Sequence, residues 1–271
     1  DQFPAQIAHF ESYPLDRVVA VHAEDEAAVR TYAARGQRRP PICAALSVAY
    51  LLALAEQTGR RLHICHVSTA AELALIRDAK ARGVRVSAEV TPHHLFLTLD
   101  AEREIGALAK CNPPLREGPD VDALWANLDA VDIIATDHAP HTLDEKRGAA
   151  PPAGLPGLET TLPLLLTAAQ EGRLTLPDVV RLTATRPAEL FGLARKGRIA
   201  PGCDADLALV DTGARWTLAN GGLQTRCGWT PFAGREVHGR VEQVYLRGRR
   251  VFEDGRVLAE PGTGRAVVVE S

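Results

Sequence analysis

Four short apolar runs, each followed by a polar turn and a stretch of helical spacing, constrain this chain more than any other feature. They are "DRVVAVHAED" (16–25), "RLHICHVS" (61–68), "VRVSAEVTPHH" (84–94) and "VDIIATDH" (131–138). Helix candidates lie between and after them: "PPICAALSVAYLLALAEQTG" (40–59), "AAELALIRDAKARG" (70–83), "DVDALWANLDA" (120–130), "ETTLPLLLTAAQEG" (159–172) and "LPDVVRLTATRPAELFGL" (176–193). The first of these carries Ile42, Leu46, Leu51 and Leu54 near helical spacing and stops at Gly59. Strands that alternate with helices demand right-handed crossovers and a parallel sheet. The runs are apolar almost throughout, as strands covered on both faces are. From about residue 196 the pattern changes to "KGRIAPGCDADLALVD" and "EVHGRVEQVYLRGRRVFEDGRVL", which predicts a small antiparallel β unit with Gly and Asp turns.

Length allows one large domain or a domain with a small appendage, 271 residues in all. A net charge of −3 excludes a nucleic-acid groove and an anionic membrane surface as partners. No apolar run reads as membrane-spanning and no signal-type N-terminus is evident, so a cytoplasmic protein is expected. Cys43, Cys65, Cys111, Cys203 and Cys227 are odd in number and lack CxxC spacing, which predicts reduced thiols. The chain contains no Met, even at position 1, and is therefore expected to be part of something longer.

Three of the four runs place a metal-capable residue at the C-terminal end of a strand: His22, His66 and Asp137. In parallel α/β folds that end is the functional face. Imidazole with carboxylate suits zinc, or manganese or cobalt, in a site with an open position. Spacings of this length fit ligands from successive strands, whereas each His alone reads equally as a hydrogen-bonded core or surface residue. Strand alternation sends His63 and Cys65 to the face opposite His66, so His63 is expected to be structural and Cys65 a buried thiol. An unpaired Glu89 inside a strand would be costly, so it is expected to face a polar mouth or a cation. His93 and His94 in "TPHH" read equally as substrate contacts or loop scaffolding. Asn112 in "KCNPPLR" could read a planar ring or form an Asx-type turn. Asp137 can coordinate a metal and accept a proton from water that the metal has acidified. His141 could bind an anionic group, while Thr142 and Glu145 have capping-box spacing and predict a helix start.

"VAVHAED", "HICHVST", "EVTPHHLF", "NPPLR", "ATDHAPHTLDEK" and "PPAGLPGLET", in this order, resemble the dihydroorotases of the amidohydrolase superfamily. "HFESYP", "DALWANL" and "WTPFAGREVHGRV" are similar to the dihydroorotase domain of the multifunctional animal pyrimidine-biosynthesis enzymes. The resemblance runs from about residue 10 to 195 and on through the C-terminal β unit. It implies a (β/α)8 TIM-type barrel whose metals hydrolyse the ring amide of dihydroorotate to carbamoyl aspartate, reversibly. It further implies that His22 and His66 lie on barrel strands five and six as ligands of a second metal. Asp137 would be the strand-eight aspartate, binding the first metal and serving as general base and then acid. Asn112 and His141 would contact substrate, as would the backbone of Ala153 and Gly154, although many relatives carry an aromatic residue where Ala153 stands. Two zinc ions are implied for the complete protein, with a homo-oligomer and association with aspartate transcarbamoylase as further expectations.

The same family pattern includes a His-x-His-x-Arg motif on a first strand and a bridging carboxylated lysine or aspartate on a fourth. Neither falls within these residues, and four βα units make half a barrel. The expectation is therefore the C-terminal half of a barrel (1–195, strands five to eight) with a β-rich unit (196–271) packing against missing N-terminal strands. Such a half is expected to be inactive alone. Two other readings stand beside it: a non-catalytic dihydroorotase-like subunit supporting aspartate transcarbamoylase, and an allantoinase or hydantoinase, which "DHAPHT" and "NPPLR" fit less well.

Overall fold

In the computed structural model, which describes residues 2–267 and 269, the apolar runs form strands where β-branched side chains cluster. The described residues group into two compact units, Asp1–Gly157 and Leu158–Ser271. The first runs α1 (Gln2–Ser12), β1 (Val18–Val21), α2 (Glu26–Ala33), α3 (Pro41–Thr58), β2 (Arg61–Ile64), α4 (Ala70–Ala81) and β3 (Val86–Val90). It continues with α5 (Pro92–Phe96), α6 (Leu99–Ile105), a 3-10 turn at Gly106–Ala109, α7 (Gly118–Ala126), β4 (Ile133–Ile134) and α8 (Leu143–Arg147). The strands pair in parallel in the order β1-β2-β3-β4, with Val21 opposite Ile64, Ile64 opposite Ala88 and Val90 opposite Ile134. Their C-terminal ends therefore lie along one edge, as expected from the alternation.

Local chemistry sets the helix boundaries. Pro41 occupies the first turn of α3, where no N–H is needed, and Gly59 ends the helix in the left-handed region at φ +68°. Thr69 caps α4 by accepting from the Glu72 amide. The stripe expected on α3 is only half right. Leu51 is buried, but Ile42 and Leu46 are exposed, because the face against the rest of the unit is built from Ala44, Val48, Leu51, Leu52 and Ala55. The small alanines allow close approach to β2 and α4, and that selects the face. α3 is also long and apolar enough, by length and composition, to cross a membrane, contrary to the sequence expectation. Its buried face against α4 and β2 is that of a helix covering a sheet.

The second unit holds α9 (Leu158–Gln170), α10 (Leu176–Val180), a π turn at Arg181–Thr185 and α11 (Arg186–Leu190). An antiparallel sheet follows, β5 (Leu207–Thr217), β6 (Glu236–Leu246), β7 (Arg249–Glu253) and β8 (Arg256–Val257), paired in that order. The antiparallel unit expected after residue 196 is present. The single helix expected over 176–193 is interrupted by the π turn, since Pro187 has no N–H to continue the regular ladder. α9 packs on β6, and Gly239 makes this possible. At φ +80°, a β-carbon there would stand 2.5 Å from the Leu166 side chain.

Candidate functional site

β1 and β2 deliver His22 and His66 to one another. His22 Nδ1 lies 3.0 Å from His66 Nε2, and the rings meet edge-on with centroids 4.7 Å apart. His22 Nε2 is 3.2 Å from Glu24 Oε2, which also accepts from Arg39 at 2.5 Å. Burial would raise the Glu24 carboxyl, but His22 and Arg39 together hold it below the ordinary carboxylate range. A charged Glu24 places the His22 proton on Nε2 and leaves the Nδ1 lone pair facing His66. His66 is 7% exposed, and its Nδ1 is buried with no hydrogen-bond partner. Burial, then the neighbouring His22, hold its imidazole below the usual value, so it remains neutral and able to ligate.

His66 and Asp137 share a backbone feature. Both leave their strands in the left-handed region, at φ +38° and +43°, a conformation that costs non-glycine residues about 1–3 kcal/mol and clusters at functional sites. Asp137 lies near enough for its charge to favour the protonated forms of His66 and Cys65. It does not close on the His22–His66 pair as a third donor. Among the described residues, the groups of three whose donor atoms approach within 4.8 Å are instead His63, Cys65 and Glu89, and His93, His94 and Cys111.

Those neighbours are mostly committed to one another. His63 Nδ1 contacts Ser87 Oγ at 2.9 Å and its Nε2 contacts Glu89 Oε2 at 2.9 Å, which is the structural role expected of it. Glu89 also accepts from the His66 amide, so this carboxylate links β2 to β3, and with His63 and Cys65 it forms a group that could hold a cation, as expected from sequence. Cys65 has its thiol pushed up to about 12, chiefly by burial. His94 donates through Nε2 to the Pro113 carbonyl and accepts at Nδ1 from Thr91, which makes it scaffolding. His93 is 3% exposed, and its Nε2 is a second buried nitrogen without a partner. The donor set and the orphaned nitrogens of His66 and His93 fit a divalent cation better than a closed hydrogen-bond network.

The candidate substrate residues converge on a second feature. Gly154 is buried at φ +138°, donates to the Lys110 carbonyl at 2.9 Å and leaves room for the His141 ring, whose Cδ2 would stand 3.2 Å from an added β-carbon. Asn112 lies two residues beyond Lys110 and is half-buried. His141 Nδ1 is 3.6 Å from Glu145, and the capping box of Thr142 and Glu145 is complete, as expected. His138 accepts from the Gly157 amide, so it holds the loop to the strand tip. A β-carbon on Gly154 would meet the Ala139 carbonyl oxygen at 2.4 Å. Gly154→Ala should therefore destabilise the chain by about 1–3 kcal/mol in urea unfolding. An unchanged midpoint would mean that the loop relaxes freely.

Sequence reading missed three groups: Glu24, two residues after His22; Arg116, buried and bonded to Ser68 and the Arg39 carbonyl; and Lys146, fully buried. The first had a signal in its spacing. A lone cation in a helix-start sequence gives none.

A family model described as "Amidohydrolase family" matches residues 14–251. The chain is 45% identical over 251 residues to the dihydroorotase of Pyrococcus abyssi, covering 92% of this chain and 59% of that protein. It is 40% identical over 268 residues to the "Multifunctional protein CAD" of Squalus acanthias, covering 98% of this chain and 11% of that one. The solved L-hydantoinase (dihydropyrimidinase) of Arthrobacter aurescens superposes with a TM-score of 0.89 at 30% identity, over 97% of this chain and 63% of that chain.

Proposed function

The chain belongs to the amidohydrolase family, and from that premise we propose that it is the larger part of a dihydroorotase, opening and closing the ring amide of dihydroorotate in pyrimidine biosynthesis. The observation that carries this is the His22–His66 pair at adjacent strand tips, with Asp137 on the same edge. The order of motifs and the identity to curated dihydroorotases support the substrate.

β1 and β4 each pair on one side only among the described residues, as the outer strands of half a (β/α)8 barrel would. Residues 1–195 are assigned to that barrel and 196–271 to an accessory β unit. The family's His-x-His pair and bridging lysine or aspartate would then come from outside these residues, and the chain alone is expected to be inactive.

His22, His66 and Asp137 would hold the metal, with zinc the best match to imidazole and carboxylate. The metal, when bound, acidifies a water and polarises the amide carbonyl. The other steps belong to the chain. Asp137 takes the proton released as water adds to the amide carbon. It then returns that proton to the ring nitrogen as the C–N bond breaks. His141 faces the substrate carboxylate, Asn112 hydrogen-bonds the planar amide, and the Ala153–Gly154 backbone fixes the ring. Glu24 keeps the His22 lone pair directed at the site. Dihydroorotate and carbamoyl aspartate are the expected small-molecule partners. Homo-oligomer formation and association with aspartate transcarbamoylase are proposed with them.

Likeness to a hydantoinase favours a second reading, a cyclic amidohydrolase for another ring. Assay of the complete, metal-loaded protein against dihydroorotate, hydantoin and allantoin separates the two. Ring opening of dihydroorotate alone supports the proposal, and turnover confined to hydantoin or allantoin would replace it.

A further inference from the structure

Lys146 lies in a five-residue helix, α8, that starts two residues after His141, and it is fully buried. Its ammonium donates to the carbonyls of Lys110, Pro152 and Gly154 at 3.0, 3.1 and 3.1 Å, one acceptor for each N–H. Lys110 in turn donates to the Pro151 carbonyl at 2.5 Å and accepts from the Gly154 amide at 2.9 Å. Two lysines thus bind three of the carbonyls in residues 151–154 and tie that loop to the segment leading into Asn112. Among the described residues, none donates to or accepts from the peptide groups of Ala153. The flanking peptides are held while that one is left open to a ligand.

Burying an ammonium is expensive, and backbone carbonyls offset the cost only when all three bonds are made together. The helix that carries Lys146 is set by the Thr142–Glu145 capping box, so the lysine's position is fixed relative to His141. We infer that Lys146 is a positioning residue that binds the Asn112 segment, the Ala153–Gly154 loop and the His141 turn into one substrate-reading surface. The inference rests on the assignment of Asn112, His141, Ala153 and Gly154 as substrate contacts.

The test is Lys146→Met, with Lys146→Gln as the variant that keeps part of the hydrogen bonding, in the complete metal-loaded protein. KM for dihydroorotate should rise roughly tenfold in Lys146→Met and less in Lys146→Gln, with bound metal unchanged and kcat altered less than KM. Hydrogen exchange of the bonded Lys110 and Gly154 amides should accelerate by a similar factor, while exchange in β1 to β3 stays as in the wild type. KM within about twofold of wild type, with loop exchange unchanged, would overturn the inference. So would failure of both variants to fold, which would make Lys146 a structural residue only. If the wild type does not open dihydroorotate, the proposed function fails, and the exchange arm still decides whether Lys146 ties the loops.

Discussion

Replacing Asp137 with Asn in the complete protein should lower kcat for dihydroorotate on the order of a thousandfold, with no change in fold. The substitution is informative because of the backbone. Asp137 sits at φ +43°, a region that Asn and Asp tolerate better than other side chains with a β-carbon. Asparagine therefore keeps the turn at the end of β4 and nearly the same volume. What it loses is the capacity to accept a proton and to bind a cation strongly. Asp137→Ala would confuse the two effects by adding strain of about 1 kcal/mol or more. If Asp137→Asn retained a tenth or more of the wild-type kcat, the proton-transfer role would be lost, whatever the protein's substrate.

A second large effect is expected in acid. Burial above all, then the neighbouring His66 imidazole, push His93 down to about 3, and burial with its histidine neighbours pushes His94 well below the ordinary value. In the unfolded chain both titrate near 6.5. Below that pH the unfolded state binds protons that the native state refuses, so stability is present above about 6.5 and falls as pH drops towards 3. His93 contributes a slope of about 1.4 kcal/mol per pH unit, about 2 kcal/mol between pH 6.5 and 5, and His94 acts in the same direction. Glu72 works in the opposite direction, because burial raises its carboxyl and the native state keeps that proton. Urea unfolding of the metal-stripped protein at pH 7.0 and 5.5 measures the net effect. His93→Gln should flatten the dependence by about one proton. A pH dependence identical in wild type and His93→Gln would show that the His93 ring is not buried as a neutral group.

What the sequence revealed and what it concealed follow from physical range. β1 to β4 were legible because an apolar run between polar turns is a local signal, and the same signal locates His22, His66 and Asp137 just beyond the ends of β1, β2 and β4. α5 and α6 are absent from the helix candidates drawn from apolar spacing, even though Thr91 and Thr98 cap them through the amides of His94 and Asp100. Pro92 stands in the first turn of α5, where its missing N–H costs nothing. Exposure of Ile42 and Leu46 on α3 could not be read from period alone, since two apolar faces competed and the alanine-lined one packed. Lys146 was invisible for a deeper reason. Its acceptors are backbone carbonyls 36, 6 and 8 residues away, and carbonyls carry no sequence identity.

A metal-dependent dihydroorotase site on the strand-tip edge of this chain makes turnover depend on bound metal. The most direct measurement is dihydroorotate ring opening by the complete, metal-stripped protein as zinc is added back. Turnover should rise in proportion to bound zinc and should stay at background in a His66→Asn variant. Full turnover without metal, or a zinc-loaded wild type that leaves dihydroorotate intact, would rule out a metal-dependent dihydroorotase site on this edge.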